Sequence, residues 1–87
     1  MAVIWIPALL RDLTAGKDRV TVSGRTLRQA IDELEATYPG IKERLLDGDQ
    51  LRPEISVFVD GIVSHLRLRQ PLTESIEVHL LSAISGG

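Results

Sequence analysis

The chain holds one long amphipathic helical pattern, and strand patterns stand on both sides of it. Thr26-Leu27-Arg28-Gln29 has the capping-box form: a hydroxyl at the cap and an amide three residues on satisfy each other's orphan backbone donors. Leu27, Ala30, Ile31, Leu34 and Tyr38 then fall at i, i+3, i+4, i+7 and i+11, which is one helical face. Pro39-Gly40 stops the helix. A lone helix cannot bury that stripe by itself, so it must lie on a sheet.

The flanking sequence supplies the strands. Ala2-Val3-Ile4-Trp5-Ile6 is apolar and rich in β-branched residues, and Pro7 ends it. A turn at Ala15-Gly16-Lys17-Asp18 leads to Arg19–Ser23, which alternates polar and apolar residues. After the helix, Ile41–Leu46 reads as a further short helical piece closed by Asp47-Gly48-Asp49. Glu54–Val59 is the clearest strand, and Asp60-Gly61 is a favoured hairpin turn. Ile62–His65 reads as the returning strand and Ser75–Leu81 as the last one.

The order is two strands, helix, short helix, hairpin, strand. That is an α+β fold: a mixed sheet with one main helix on one face. With the first and last strands as parallel central neighbours it becomes the β-grasp (ubiquitin-like) arrangement. A ferredoxin-like sandwich fits less well, because only one long helix is visible. The chain has 87 residues, room for one compact domain, expected over residues 1–81, with a flexible tail over residues 82–87. Aromatic residues make up only 3%, so Leu, Ile, Val and Ala must build the core.

A sheet with one helix keeps a bare face. Alternation assigns Val20, Val22, Ile55, Val57, Val59, Ile76, Val78 and Leu80 inward and turns Thr21, Ser56, Phe58, Glu77, His79 and Leu81 outward. Parity on the first strand is ambiguous. With Ile4 and Ile6 inward, Trp5 joins Phe58, His79 and Leu81 on the bare face. A contiguous exposed apolar patch there would mark a partner site; loops or tail folding over it is the competing reading.

Chemistry is poorly supplied. There is no Cys, so no disulfide framework, thiol nucleophile or zinc ribbon. No nucleophile elbow, P-loop or dinucleotide fingerprint occurs. His65 and His79 have no partner at metal-ligand spacing, and both read as surface histidines. Asp32, Glu33 and Glu35 lie on the solvated helix face. Asp47-Gly48-Asp49 lacks the length and terminal Glu of a calcium loop. Arg67 and Arg69 are too few for a basic groove and are expected to face an interface or solvent. The formal charge of −2 argues against nucleic acid as a partner. The longest apolar run, Ala2–Leu10, is about half of a membrane span and has no basic residue before it. No membrane partner, no bound metal and a cytoplasmic location are expected.

The end is the unusual part. Ser82, Ala83, Ile84, Ser85, Gly86 and Gly87 follow the last strand without a packing pattern. Extended, they would reach about 20 Å. Two final glycines make a thin end that can thread a narrow tunnel and place a carboxylate at another enzyme's centre. A carboxylate is a poor electrophile until ATP converts it to an acyl-adenylate. Without Cys, any sulfur the chain carries must sit on Gly87.

These features together resemble the ThiS/MoaD-type sulfur-carrier family, ubiquitin-like proteins that end in Gly-Gly. The resemblance spans essentially the whole chain. It rests on Val3–Arg11, on Thr26–Glu35 with its exit Tyr38-Pro39-Gly40-Ile41, on Val57-Phe58-Val59-Asp60-Gly61 and on Gly86-Gly87. Within the family it looks most like the cysteine-biosynthesis carrier branch, with the small subunit of molybdopterin synthase close by.

The resemblance implies that an E1-like enzyme adenylates Gly87 with Mg-ATP, and that the adenylate becomes a thiocarboxylate. Its sulfur would go to a partner such as the molybdopterin synthase large subunit or a cysteine synthase type enzyme. Residues 82–87 would enter partner active sites, and Trp5, Phe58, His79 and Leu81 would dock the partner. The chain itself would not be an enzyme and would bind no cofactor. A modifier joined to lysines through Gly87, and a plain β-grasp interaction module, stand as alternatives.

Overall fold

The computed structural model of the chain describes residues 1–82. Strand β1 (Ala2–Trp5) pairs antiparallel with β2 (Arg19–Val22) across a loop that contains a short 3-10 turn at Ala8–Leu10. Helix α1 (Leu27–Thr37) and helix α2 (Ile41–Leu45) follow. Then come a small hairpin of β3 (Leu46–Asp47) and β4 (Gln50–Leu51), strands β5 (Ile55–Val59) and β6 (Ile62–Val63), and finally β7 (Glu77–Ser82).

The main sheet runs β2-β1-β7-β5-β6. The first and last strands are its central pair and are parallel, with Ile4 opposite Val78. β7 pairs antiparallel with β5, placing Val57 opposite Leu80. One main helix against this mixed sheet is the β-grasp arrangement.

The strand-one parity resolves with Ala2, Ile4 and Ile6 inward, all buried. They meet Leu27, Ala30, Ile31 and Leu34 of α1, together with Val22, Val57, Val78 and Leu80. Tyr38, Val20, Val59 and Ile76 are partly buried at the margin of this core. Ile41, Leu45, Leu46 and Leu51 extend the core under α2 and the small hairpin.

The cap of α1 differs in one detail from the capping box. Thr26 Oγ1 accepts from Gln29 N at 3.3 Å, but Gln29 Oε1 reaches one residue further back, to Arg25 N at 2.8 Å. At the other end, Glu35 accepts from the backbone N–H groups of Lys42 and Gly40, and these hold its carboxyl below the ordinary glutamate range. Gly40 makes this turn at φ 101°, a conformation that favours glycine.

Several expectations need correction. Asp47-Gly48-Asp49 does not merely close α2; Asp47 and Gln50 pair across it to form the β3–β4 hairpin. The strand after Asp60-Gly61 ends at Val63, not His65. There the Ser64 hydroxyl bonds Gln70 Oε1 and accepts from Leu66 N, which turns the chain away from the sheet. The last strand starts at Glu77, because Ser75 takes φ 64° and bonds Met1 O instead. It continues through Ser82, which pairs with Ile55.

Arg67 is half-buried and turns back onto the chain's own backbone. Its guanidinium donates to the carbonyls of Ile55 at 2.5 Å, Arg52 at 2.9 Å and Leu51 at 3.5 Å, tying the loop after β6 to the start of β5. Nor is the acidic cluster on α1 simply solvated. Glu33 accepts from Ser23 N and Gly24 N, both at 3.0 Å, which fastens the end of β2 to the helix.

Candidate functional site

The strand pairing assembles the outward residues into a row. Arg19 of β2 lies opposite Trp5 of β1, Trp5 opposite His79 of β7, His79 opposite Phe58 of β5, and Phe58 opposite Val63 of β6. The row crosses all five strands on the face that α1 does not cover. Trp5, His79 and Phe58 are half-buried along it.

The centre of the row is held tightly. The rings of Trp5 and His79 stack with centroids 4.9 Å apart and planes 7° from parallel. The Arg19 guanidinium lies over the Trp5 ring at 5.2 Å, a cation–π distance. Trp5 Nε1 donates to Glu77 Oε1 at 2.9 Å. The indole is therefore covered by Arg19, stacked on His79 and bonded at its polar edge. Leu81 sits further along β7, opposite Ser56, and is 50% exposed. The face thus brings Trp5, His79 and Phe58 together and leaves Leu81 as a separate apolar outpost.

Alternation turns Glu77 outward but gives it no task, and nothing in the sequence singles out Arg19. Both owe their role to register: only the β1–β2 and β1–β7 pairings bring them beside Trp5. His65 lies away from this face, exposed in the turn after β6. Among the described residues no cluster of three or more His, Asp or Glu could hold a metal. Among them also, no helix is long and apolar enough to cross a membrane.

β7 carries the row's central His79 and leads directly to the chain's end. Ser82 is its last residue, half-buried and paired with Ile55. Ala83, Ile84, Ser85, Gly86 and Gly87, expected to enter partner active sites, lie outside the described residues.

The ThiS family model matches residues 4–87, from the middle of β1 to the final glycine. The chain belongs to the ThiS family. Among similar proteins is the sulfur carrier protein CysO of Mycobacterium tuberculosis, 34% identical over 89 residues that cover 97% of this chain and 96% of CysO. A chain of the Amycolatopsis orientalis BexX/CysO complex superposes with a TM-score of 0.90 at 29% identity, covering 100% of both. The small archaeal modifier protein 1 of Methanosarcina acetivorans is similar with a TM-score of 0.79 at 25% identity, covering 99% of this chain and 95% of that one. The β-grasp core of this ThiS-family chain is thus shared along its whole length.

Proposed function

We propose that the chain is a sulfur carrier and that Gly87 bears the sulfur. The observation that carries this reading is the extent of the family match, which runs unbroken from the core through Gly86-Gly87. The sulfur carrier CysO, matched over nearly its full length, supports it.

The chemistry follows from the carboxylate. An oxygen of the Gly87 carboxylate attacks the α-phosphorus of Mg-ATP on an E1-like enzyme, and pyrophosphate leaves. Sulfide then attacks the acyl carbon, and AMP departs with the bonding electron pair. The product is a thiocarboxylate, which a biosynthetic partner of the cysteine synthase or molybdopterin synthase type accepts as sulfur source. In this cycle the chain is a substrate of its partners in the cytoplasm, with no resident cofactor. The Trp5–His79–Phe58 row and Leu81 form the docking face. The likeness to a chain of the BexX/CysO complex supports a carrier that works inside a protein complex.

A second reading has its own support in the likeness to a small archaeal modifier protein. The same adenylate, attacked by a lysine amine instead of sulfide, would give an amide.

One experiment separates them. The chain is incubated with an E1-like enzyme, Mg-ATP and sulfide, and its intact mass is followed. Replacement of one oxygen by sulfur at Gly87 supports the carrier. Lysine-linked adducts support the modifier. No ATP-dependent change with an enzyme active on its own carrier excludes both.

A further inference from the structure

Beyond β6 the chain makes a second 3-10 turn, Arg67–Arg69, which packs against α1 and β4. A cavity of about 370 Å³ opens there and shares no residue with the Trp5–His79–Phe58 row or with Leu81. Its apolar lining is Leu51 and Leu68, both buried, and Leu66, 45% exposed. Its polar lining is cationic: the guanidinium groups of Arg28, Arg67 and Arg69 stand against Asp49 as the single carboxylate, with His65 beside them.

This charge is not neutralised inside the protein. Neither ion pair among the described residues involves the cavity, so Asp49 pairs with none of the three arginines. Arg67 is committed to its three carbonyls, and Arg28 donates to the Asp49 carbonyl. The Arg69 guanidinium makes no hydrogen bond among the described residues. The first turn of α1, where Arg28 sits, holds no acidic residue to offset the positive end of the helix dipole. The wall is also stiff: Arg67 takes φ 57°, a left-handed backbone costly for a residue with a side chain, and its carbonyl contacts hold it there.

We propose that this cavity binds a phosphoryl group, either free as an inorganic anion or carried on a small nucleoside phosphate. Guanidinium groups offer only donors, in a planar fork that matches phosphate oxygens. Three of them against one carboxylate leave positive charge in excess, which favours a dianion over a singly charged carboxylate. Arg69 makes the first contact and Arg28 the second, while Arg67 stays on its carbonyls and contributes charge alone. Leu66 gives apolar surface to the body of the ligand. Because the cavity stands apart from the Trp5–His79–Phe58 row, an occupied site leaves that face free.

The test is amide NMR on the full chain at about 0.15 M salt, where loosely held ions are screened. Inorganic phosphate, pyrophosphate and AMP are titrated separately, without divalent metal. Saturable shifts are expected in β4 and residues 66–69, with Trp5 and His79 unmoved. Arg69→Gln should weaken binding about tenfold, the worth of one charge-assisted contact. Arg44→Gln removes the same charge outside the cavity and should leave binding unchanged. Both arginines are exposed, and unchanged amide dispersion of the sheet will show that the fold persists. AMP binding tighter than the inorganic anions assigns the site to nucleoside phosphates; the reverse order assigns it to free phosphate, and either supports it. Shifts that never saturate, or equal weakening by Arg69→Gln and Arg44→Gln, overturn it. A hexaglutamate peptide that binds the same residues more tightly than all three phosphates also overturns it and gives the cavity to an acidic protein segment.

Discussion

Trp5 and His79 stand side by side on the parallel central strands, their rings stacked 4.9 Å apart with nearly parallel planes. Arg19 and Glu77 fix the same indole from its other side and its edge. The bare face of the sheet is therefore a preset plate. Under the proposed docking role, a partner would have little side-chain order left to impose there.

Removing the stack should be measurable. His79→Ala is expected to destabilise the fold by about 1 kcal/mol, the usual worth of an aromatic pair. The denaturant midpoint should fall with an unchanged slope. Trp5 is the sole tryptophan, so its fluorescence reports the change directly. His79→Phe should restore the midpoint. If His79→Ala moves neither quantity, the stack does not contribute in solution.

Arg67 has the opposite character: hidden in the sequence and structural in the fold. Arg67→Gln should cost about 2 kcal/mol, because three carbonyls lose a charged donor. Arg67→Lys should not recover it, since an ammonium lacks the planar fork. Urea unfolding of the three proteins checks this; a lysine variant as stable as the parent would contradict it.

Gly24 is required for space. A Cβ there would stand 2.8 Å from Ala30 N and 3.0 Å from the Gln29 carbonyl carbon, both backbone atoms of α1. Gly24→Ala should therefore lower stability by about 1–3 kcal/mol by pushing the helix off β2. Thermal unfolding would show it, and an unchanged midpoint would mean that the junction is looser than this geometry.

Glu35 links stability to pH. Its carboxyl is held below the ordinary range by Lys42 N–H first and Gly40 N–H second. A depressed folded pKa stabilises in full above the unfolded glutamate pKa and is lost as pH falls through the depressed value. Glu35→Gln should thus be less stable than the parent near neutrality. The gap should close on acidification, read from unfolding midpoints across the acidic range. A gap constant with pH would refute the charge contribution.

Deleting Gly87 should abolish ATP-dependent activation and leave the unfolding midpoint unchanged. The described core is complete by Leu80, so loss of the last residue removes none of it. Activation that survives the deletion would remove Gly87 as the acceptor.

Periodicity and punctuation carried much of this protein. The 3.6 spacing from Leu27 to Leu34 names the buried helix face, and alternation in Ile55–Val59 and Glu77–Ser82 names the sheet rows. Such signals are local, so they survive without knowledge of neighbours. The Gly-Gly end and the family resemblance are likewise readable in one dimension. Where local reading failed, a distant partner decided. Ile62–His65 has a strand's composition, but Ser64 and Gln70 turn it away.

What the sequence determined by itself is the layout: one helix, the strands around it, an aliphatic core and a thin end. Only the tertiary structure decided which residues share a surface. Arg19, Trp5, His79 and Phe58 are separated by up to dozens of positions, and it is strand order and register that bring them into one row. The same holds for Arg67 beneath β5 and for Arg28 and Arg69 around one cavity. Register between strands is settled by simultaneous burial of all inward side chains, a property of the assembled core that no single segment contains.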